Sequence, residues 1–282
     1  MSIKKRIFSL MLAASVLVSL AACGENAGGN ELPADAGTSN AQGTTEPELS
    51  PTVTVTIIEG QAMVQIFEQL EQEGVCSFDA LMSSAQNTDF TSYPLIGAIP
   101  GDVNRCFVLE GYIFPDTYEF YRGENADSVI RRFLDNAENR ITDAHRQRAA
   151  EMGISIDEII TTASIVQKEG SKPSEVANIA GVIYNRLDTG MQLQMDTSIF
   201  YIEQYVKPYI DGDINRYNSY YNTYKCPGLP IGPLCNPGLQ TIEAALYPAD
   251  VPYLYFCHDS EANYYYAESY EEHLVNCETA GC

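Results

Sequence analysis

The sequence predicts an α+β fold, in which a small N-terminal strand-helix unit precedes a larger mixed α+β body. Three observations carry that expectation. Apolar residues recur at helical spacing through the middle of the chain: Val129, Ile130, Phe133 and Leu134, then Ile159, Ala163 and Val166, then Val176, Ile179, Ala180, Ile183 and Leu187. Strand-like runs stand towards both ends, at residues 52–58 and at 253–258 with 264–267. Between them there is no regular βαβ rhythm, and the chain carries neither a P-loop nor a dinucleotide fingerprint.

Taken in order, the chain opens with Lys4, Lys5 and Arg6 before an apolar run over 7–22 that closes Leu20-Ala21-Ala22-Cys23. A basic start, a short apolar stretch and small residues mark a secretory signal, and the stretch is too short for a membrane span. A cysteine directly after the small residues resembles the lipobox of bacterial lipoproteins. Residues 1–22 therefore read as a lipoprotein signal peptide and Cys23 as the lipidated residue. The expected location is outside the cell, on the outer face of the cytoplasmic membrane. Residues 23–51 are rich in Gly, Ala, Thr, Asn and Glu and offer almost nothing to bury, the composition of a disordered acidic tether. Thr and Val then alternate into a strand. Glu59-Gly60 turns it into an amphipathic helix with Met63, Ile66, Phe67 and Leu70, and this strand-helix subdomain extends to residue 105.

From 106 to 282 the pattern is that of the main domain. One helix is expected over 126–150. Ser155 with Glu158 forms a capping box that opens the next helix, which ends at Glu169 before Gly170. Pro173 can open a third helix, with Gly190 stopping it. A β-hairpin joined by residues 259–263 and a short helix through His273 finish the fold.

Charge narrows the function. The formal net charge is −22, and loss of Lys4, Lys5 and Arg6 with the signal makes it three units more negative. No Lys or Arg lies between Ile7 and Asn104. Nucleic acid is excluded as a partner, since phosphates need cations. Electrostatic adhesion to anionic lipid is disfavoured too, which leaves membrane attachment to an acyl chain.

Glu169 is the residue with the clearest chemistry. It sits beside the apolar face of its helix, where partial burial and the negative end of the helix dipole both disfavour its charged form. A carboxyl that stays protonated near neutrality is what a general acid for glycosidic cleavage requires.

The chain also carries Leu109-Glu110-Gly111-Tyr112-Ile113-Phe114-Pro115-Asp116, Tyr184-Asn185-Arg186-Leu187, and Gly190-Met191-Gln192-Leu193-Gln194-Met195-Asp196. Tyr221-Asn222-Thr223-Tyr224, Gly228-Leu229-Pro230-Ile231-Gly232-Pro233, Asn236-Pro237-Gly238 and Pro252-Tyr253-Leu254-Tyr255-Phe256 follow. In this order and approximate spacing the chain resembles the endolytic murein transglycosylase family, also called YceG-like, from about Val53 to about Asn276. The resemblance implies a catalytic domain with a lysozyme-like catalytic helix. The implied enzyme is a peptidoglycan lytic transglycosylase that cuts the bond from N-acetylmuramic acid to N-acetylglucosamine within glycan strands and leaves 1,6-anhydro ends. Glu169 falls on the family's catalytic glutamate. Gln194, Asp196, Asn222, Tyr224 and Glu110 fall on positions suited to substrate contact, and Asn185 and Arg186 read as stabilisers of a helix end. Implied partners are peptidoglycan strands, the membrane through the lipid anchor, and cell-wall synthases. No metal or organic cofactor is implied.

The chain departs from the family pattern in three places: Gln167 replaces an acid, Asp196-Thr197-Ser198 replaces Asp-Pro-Thr, and Tyr264 replaces a histidine. Two other classes stay open: a glycan hydrolase using a water activated by Asp196 or Asp116, and a non-catalytic glycan-binding or scaffolding lipoprotein.

Eight cysteines in an exported chain suggest disulfides. Cys226 and Cys235 bracket the Gly-Leu-Pro loop and are the leading candidates for a bond, followed by Cys257 with Cys277 and Cys76 with Cys106. A zinc site is not expected, because no Cys-x-x-Cys pair occurs and the histidines at 145, 258 and 273 are scattered along the sequence.

Overall fold

The computed structural model describes residues 51–282 other than 171, 211 and 214; the expected signal peptide, Cys23 and all but the last residue of the expected tether lie outside them. The described chain begins with β1 (Thr52–Thr56), which runs antiparallel to β2 (Thr117–Tyr121), Val53 opposite Phe120 and Val55 opposite Tyr118. Alternation sends Tyr118 and Phe120 into the core and leaves their neighbours in solvent. Between the strands lie α1 (Met63–Gln72), α2 (Phe78–Asn87) and the single turn α3 (Pro94–Gly97). α1 buries Met63, Val64, Ile66, Phe67 and Leu70, as its spacing predicts.

The boundary placed at 105/106 is not a break in packing. β1 lies before it and β2 after it, one apolar core contains residues from both sides, and the described residues on both sides belong to one compact unit. Composition cannot reveal a strand pair whose members are sixty residues apart.

The helix expected over 126–150 is two, α4 (Ala126–Arg140) and α5 (Asp143–Met152). The break comes from Thr142, whose backbone N–H donates to His145 Nδ1 at 3.2 Å while its carbonyl accepts from His145 N–H at 3.0 Å. Histidine here does the work of glutamate in a capping box. α6 (Ile156–Glu169) opens with the expected box: Ser155 N–H donates to Glu158 Oε2 at 2.7 Å and Glu158 N–H to Ser155 Oγ at 3.2 Å. Pro173 lies in the turn before α7 (Val176–Asp188) rather than at its first residue, and Gly190, at φ 70°, ends the following turn.

α8 (Thr197–Tyr201) runs into a π turn at Ile202–Val206; α9 (Asn215–Tyr221) and α10 (Leu239–Leu246) follow. The antiparallel hairpin of β3 (Tyr255–His258) and β4 (Tyr264–Ala267) leads to α11 (Tyr270–Ala280). Helices with two small antiparallel sheets place the chain in the α+β class. α6 is the axis of the body: ten of its fourteen residues are buried, and α5, α7, α8 and α10 pack around it.

Glu110 and Asn236 form a polar hub inside this core, both fully buried. Glu110 Oε1 accepts from Met63 N–H at 2.9 Å and Asn236 Nδ2 at 3.0 Å, and Oε2 accepts from Tyr201 OH at 3.2 Å. Asn236 Oδ1 accepts from the N–H groups of Gly111 and Ile113 at 3.0 and 2.9 Å. The hub thus satisfies backbone donors that a helix start and a loop leave unpaired. Glu110 is therefore not a substrate contact, as its motif suggested; it is enclosed by the groups it holds. Burial pushes its carboxyl up to about 7.

A carboxyl that titrates higher in the folded than in the unfolded chain takes up a proton on folding. Glu110 therefore lowers stability as pH rises from its ordinary 4.5 through about 7. Glu110→Ala, which leaves the Met63 and Asn236 donors buried without an acceptor, is expected to cost about 3 kcal/mol. Glu110→Gln should retain most of that and flatten the pH dependence. Urea unfolding at acidic and alkaline pH reads both; an alanine variant as stable as the parent would refute the hub.

A candidate active-site cleft at the end of α6

α6 delivers Glu169 to the surface at its last turn. Gly170 ends it, with its N–H on Val166 O at 2.7 Å; a Cβ there would stand 2.9 Å from that carbonyl and 3.0 Å from Val176 Cγ1. Tyr264 OH donates to the Glu169 carbonyl at 2.7 Å, so the hairpin holds the helix end. The tyrosine in place of the family's histidine thus acts on backbone.

Glu169 lies in a cleft of about 450 Å³. One wall is the loop carrying Gln194, Met195 and Asp196, with Tyr224 beside it; the other is built from Arg186, Tyr255, Phe256, Tyr270 and His273. A second hollow of about 260 Å³, lined by Lys168, Thr197, Phe200, Gln204 and Tyr205, shares Glu169 and Asp196 with the first. The two acids therefore stand at the junction of two hollows. Phe200 is 55% exposed and offers an aromatic face there.

Burial pushes the Glu169 carboxyl up to about 7, and the charge of Asp196 adds to that; His258 and a hydrogen bond from the Thr197 N–H oppose it. Asp196 is exposed and accepts from Tyr224 OH at 2.7 Å. The loop that presents Asp196 is stitched to the chain after α9: Gln194, at φ 51°, donates its N–H to Thr223 O, and Met195 N–H donates to Thr223 Oγ1 at 2.8 Å. Gln194, Asp196 and Tyr224 thus meet around Glu169, as their motifs imply. Asn222 does not: it is buried, and its Oδ1 accepts from Tyr224 N–H at 2.9 Å, shaping the turn that aims Tyr224.

Arg186 and Asn185 act at longer range than the helix end. Arg186 Nε donates to Leu254 O at 2.6 Å and Nη1 to Leu193 O at 2.5 Å, joining both walls of the cleft. Its guanidinium lies over the Tyr255 ring at 5.2 Å, and Tyr255 stacks on His273 at 5.2 Å and 23°. Asn185 Nδ2 donates to Val251 O and Tyr253 O. His273 and Phe200 are cleft residues that the sequence did not single out as such; their only signal was proximity to motifs whose partners are distant.

Gln167 faces away from the cleft, accepting from Gly238 N–H at 3.0 Å and Thr241 Oγ1 at 3.1 Å, so its lost acid leaves the site unchanged. Asp116 pairs with Arg140 at 2.6 Å and lines neither hollow.

Cys226 and Cys235 are not bonded. Cys235 Sγ points at Ser164 O, 3.4 Å away on α6, whereas Cys226 lies by Gly228 O. Nine residues of separation close a ring only if both thiols turn towards each other. The loop is held instead by Leu234 N–H on Ser164 Oγ at 2.9 Å and Ile231 N–H on Tyr220 O at 3.0 Å.

The electrostatic pattern is checkable without turnover. In Asp196→Asn the Glu169 carboxyl should titrate lower, and in His258→Gln higher, as carbon-13 carboxyl shifts against pH would record. An unchanged titration in both variants would disprove the coupling.

The sequence model of the YceG-like family matches residues 26–279. The chain is 32% identical over 252 residues to the endolytic murein transglycosylase of Streptococcus pneumoniae serotype 2 (strain D39), covering 83% of this chain and 46% of the relative. It is 29% identical over 227 residues to the endolytic murein transglycosylase of Bacillus subtilis (strain 168), covering 78% and 62%. The chain therefore spans about half to three-fifths of the length of these relatives. Among solved structures, that of a yceG-like protein from Listeria monocytogenes superposes with a TM-score of 0.69 at 28% identity, covering 79% of this chain and 75% of that one. With that fold shared and nearly all of its length matched, the chain belongs to the YceG-like family.

Proposed function

We propose that the protein is an endolytic lytic transglycosylase of peptidoglycan, working in cell-wall assembly or remodelling beside cell-wall synthases, with Glu169 as its single acid–base group. The observation that carries this reading is a carboxyl held at about 7 where two hollows meet. Protonated, it donates to the glycosidic oxygen between N-acetylmuramic acid and N-acetylglucosamine. As carboxylate it takes the proton from the muramoyl 6-hydroxyl, whose oxygen closes on C1 and gives the 1,6-anhydro end. One group acting twice requires no water and no enzyme nucleophile, unlike a carboxylate pair. α6 then serves as a lysozyme-like catalytic helix, a buried rod that presents one glutamate.

The surroundings support the reaction. Hollows on both sides of Glu169 suit a strand that continues in both directions, as cleavage within a chain demands. Tyr224, Tyr255 and Phe200 offer ring faces, and Gln194 offers amide groups for sugar hydroxyls. Asp196, fixed by Tyr224, raises the proton affinity of Glu169 and places negative charge beside the oxocarbenium-like centre.

Asp196 also carries the second reading. Exposed in the same cleft, it could activate a water and make the enzyme a hydrolase. Mass spectrometry of digested peptidoglycan separates the two, since the anhydro product lacks one water. The membrane location is proposed on Cys23 alone: export, cleavage before it and acylation of its thiol.

Two outcomes are expected. Glu169→Gln keeps the shape and removes the proton, so release of anhydro product from purified peptidoglycan should fall about 10²–10⁴-fold with unfolding unchanged. Parent activity should decline as pH rises through about 7, where the acid form is lost. Near-parent product from the glutamine variant would sink the mechanism. Separately, Cys23→Ser should abolish labelling by radioactive palmitate, and persistent labelling would rule out the lipoprotein reading.

A further inference from the structure

α11 is eleven residues long and buries none of them; Leu274 is 47% and Val275 61% exposed. A helix without a buried face needs some other attachment to hold its place. Its attachments are the Ser269 cap on Glu272 N–H, Glu268 N–H on Glu272 Oε2, Asn276 Nδ2 on Tyr266 O at 3.1 Å, and the rings of Tyr270 and His273 against Tyr255. Yet α11 contributes Tyr270 and His273 to the wall of the cleft.

The face of α11 towards β3 holds a cluster of soft donors. His273 and Cys277 are four residues apart and so share one side of the helix, Cys277 Sγ lying 3.7 Å from His273 Nε2. Cys257 comes from the neighbouring strand, and one ligand atom from each of these three residues lies within 4.8 Å of the others. Gly281, at φ 78°, turns the chain back so that Cys282 N–H donates to Cys277 O at 3.1 Å, and the Cys282 thiol lies against the same carbonyl at 3.7 Å. Two sulfurs and an imidazole therefore converge from a strand and a helix, with a third sulfur on the turn that follows.

We propose that Cys257, His273 and Cys277 bind one Zn²⁺, with the Cys282 thiol turning from the Cys277 carbonyl to complete a structural Cys₃His site that clamps α11 to the β3–β4 hairpin and fixes one wall of the cleft. Zinc bonds of about 2.3 Å to sulfur and 2.0 Å to nitrogen set the donors of a tetrahedral site about 3.5–3.8 Å apart. The Cys277–His273 separation of 3.7 Å already matches that edge. A closed four-ligand set supplies attachment in place of apolar burial. The rival is a Cys257–Cys277 disulfide, which would leave one thiol and the imidazole without a role.

The test uses the full chain, purified in detergent without chelator or oxidant. Elemental analysis should find about one zinc per chain, and Co²⁺ exchange should produce thiolate charge-transfer and tetrahedral visible bands. Cys277→Ser should lower zinc content at least tenfold, while Cys76→Ser, away from the cluster, should leave it unchanged. If Cys277→Ser does not fold, the parent's zinc content and cobalt spectrum still decide. A parent that holds no zinc after incubation with Zn²⁺ and desalting, or whose non-reducing peptide map shows Cys257 bonded to Cys277, would overturn the proposal.

Discussion

The burial of α6 is the constraint on which the remaining architecture depends. Ile156, Ile159, Ile160, Ile165 and Val166 are removed from water, each worth roughly 1.5–3 kcal/mol, and this needs helices on several sides. The polar groups carried inward with them cannot be left bare. Asp157 receives both Arg105 Nη1, at 2.9 Å from each oxygen, and Tyr112 OH at 2.6 Å, while Ser164 Oγ receives Leu234 N–H. Asp157 and Ser164 thereby each moor a loop. The position of Glu169 follows from packing spread along four turns rather than from contacts at its own end.

The cleft illustrates how a group with shifted acidity is kept without being sealed. Full burial, as at Glu110, also gives a carboxyl near 7, but one that nothing can reach. At Glu169 the same displacement is achieved with part of the side chain facing the cleft, because the Asp196 charge adds to burial. Two glutamates of similar acidity thus have opposite uses, and what separates them is access.

What the sequence disclosed follows the range of the interactions involved. α6, its Ser155–Glu158 cap and its end at Gly170 were legible because helix signals lie within four residues of what they control. The meeting of Gln194, Asp196 and Tyr224 was legible only through family resemblance. Glu110 was misread because its partner Asn236 is 126 residues away, and no local pattern distinguishes a buried acceptor from a cleft acid. Cys226 and Cys235 misled in the opposite way, being near in sequence but aimed apart. The Thr142–His145 cap was missed because histidine is an unusual third residue for that box. Cys257, His273 and Cys277 looked scattered until a strand and a helix laid them side by side.

The bond from Asn236 Nδ2 to Gln61 O spans 175 residues, and the pairing of β1 must wait for β2. Such long closures are entropically expensive to form and slow the approach to the native state. β1 thus has no partner until residue 121 has been made, and the hub none until Asn236, and the loop that completes the hub precedes the hairpin that pins Glu169. The setting of the reactive carboxyl is thereby completed by the most C-terminal elements of the chain, so a truncation before the hairpin would leave Glu169 without its Tyr264 contact.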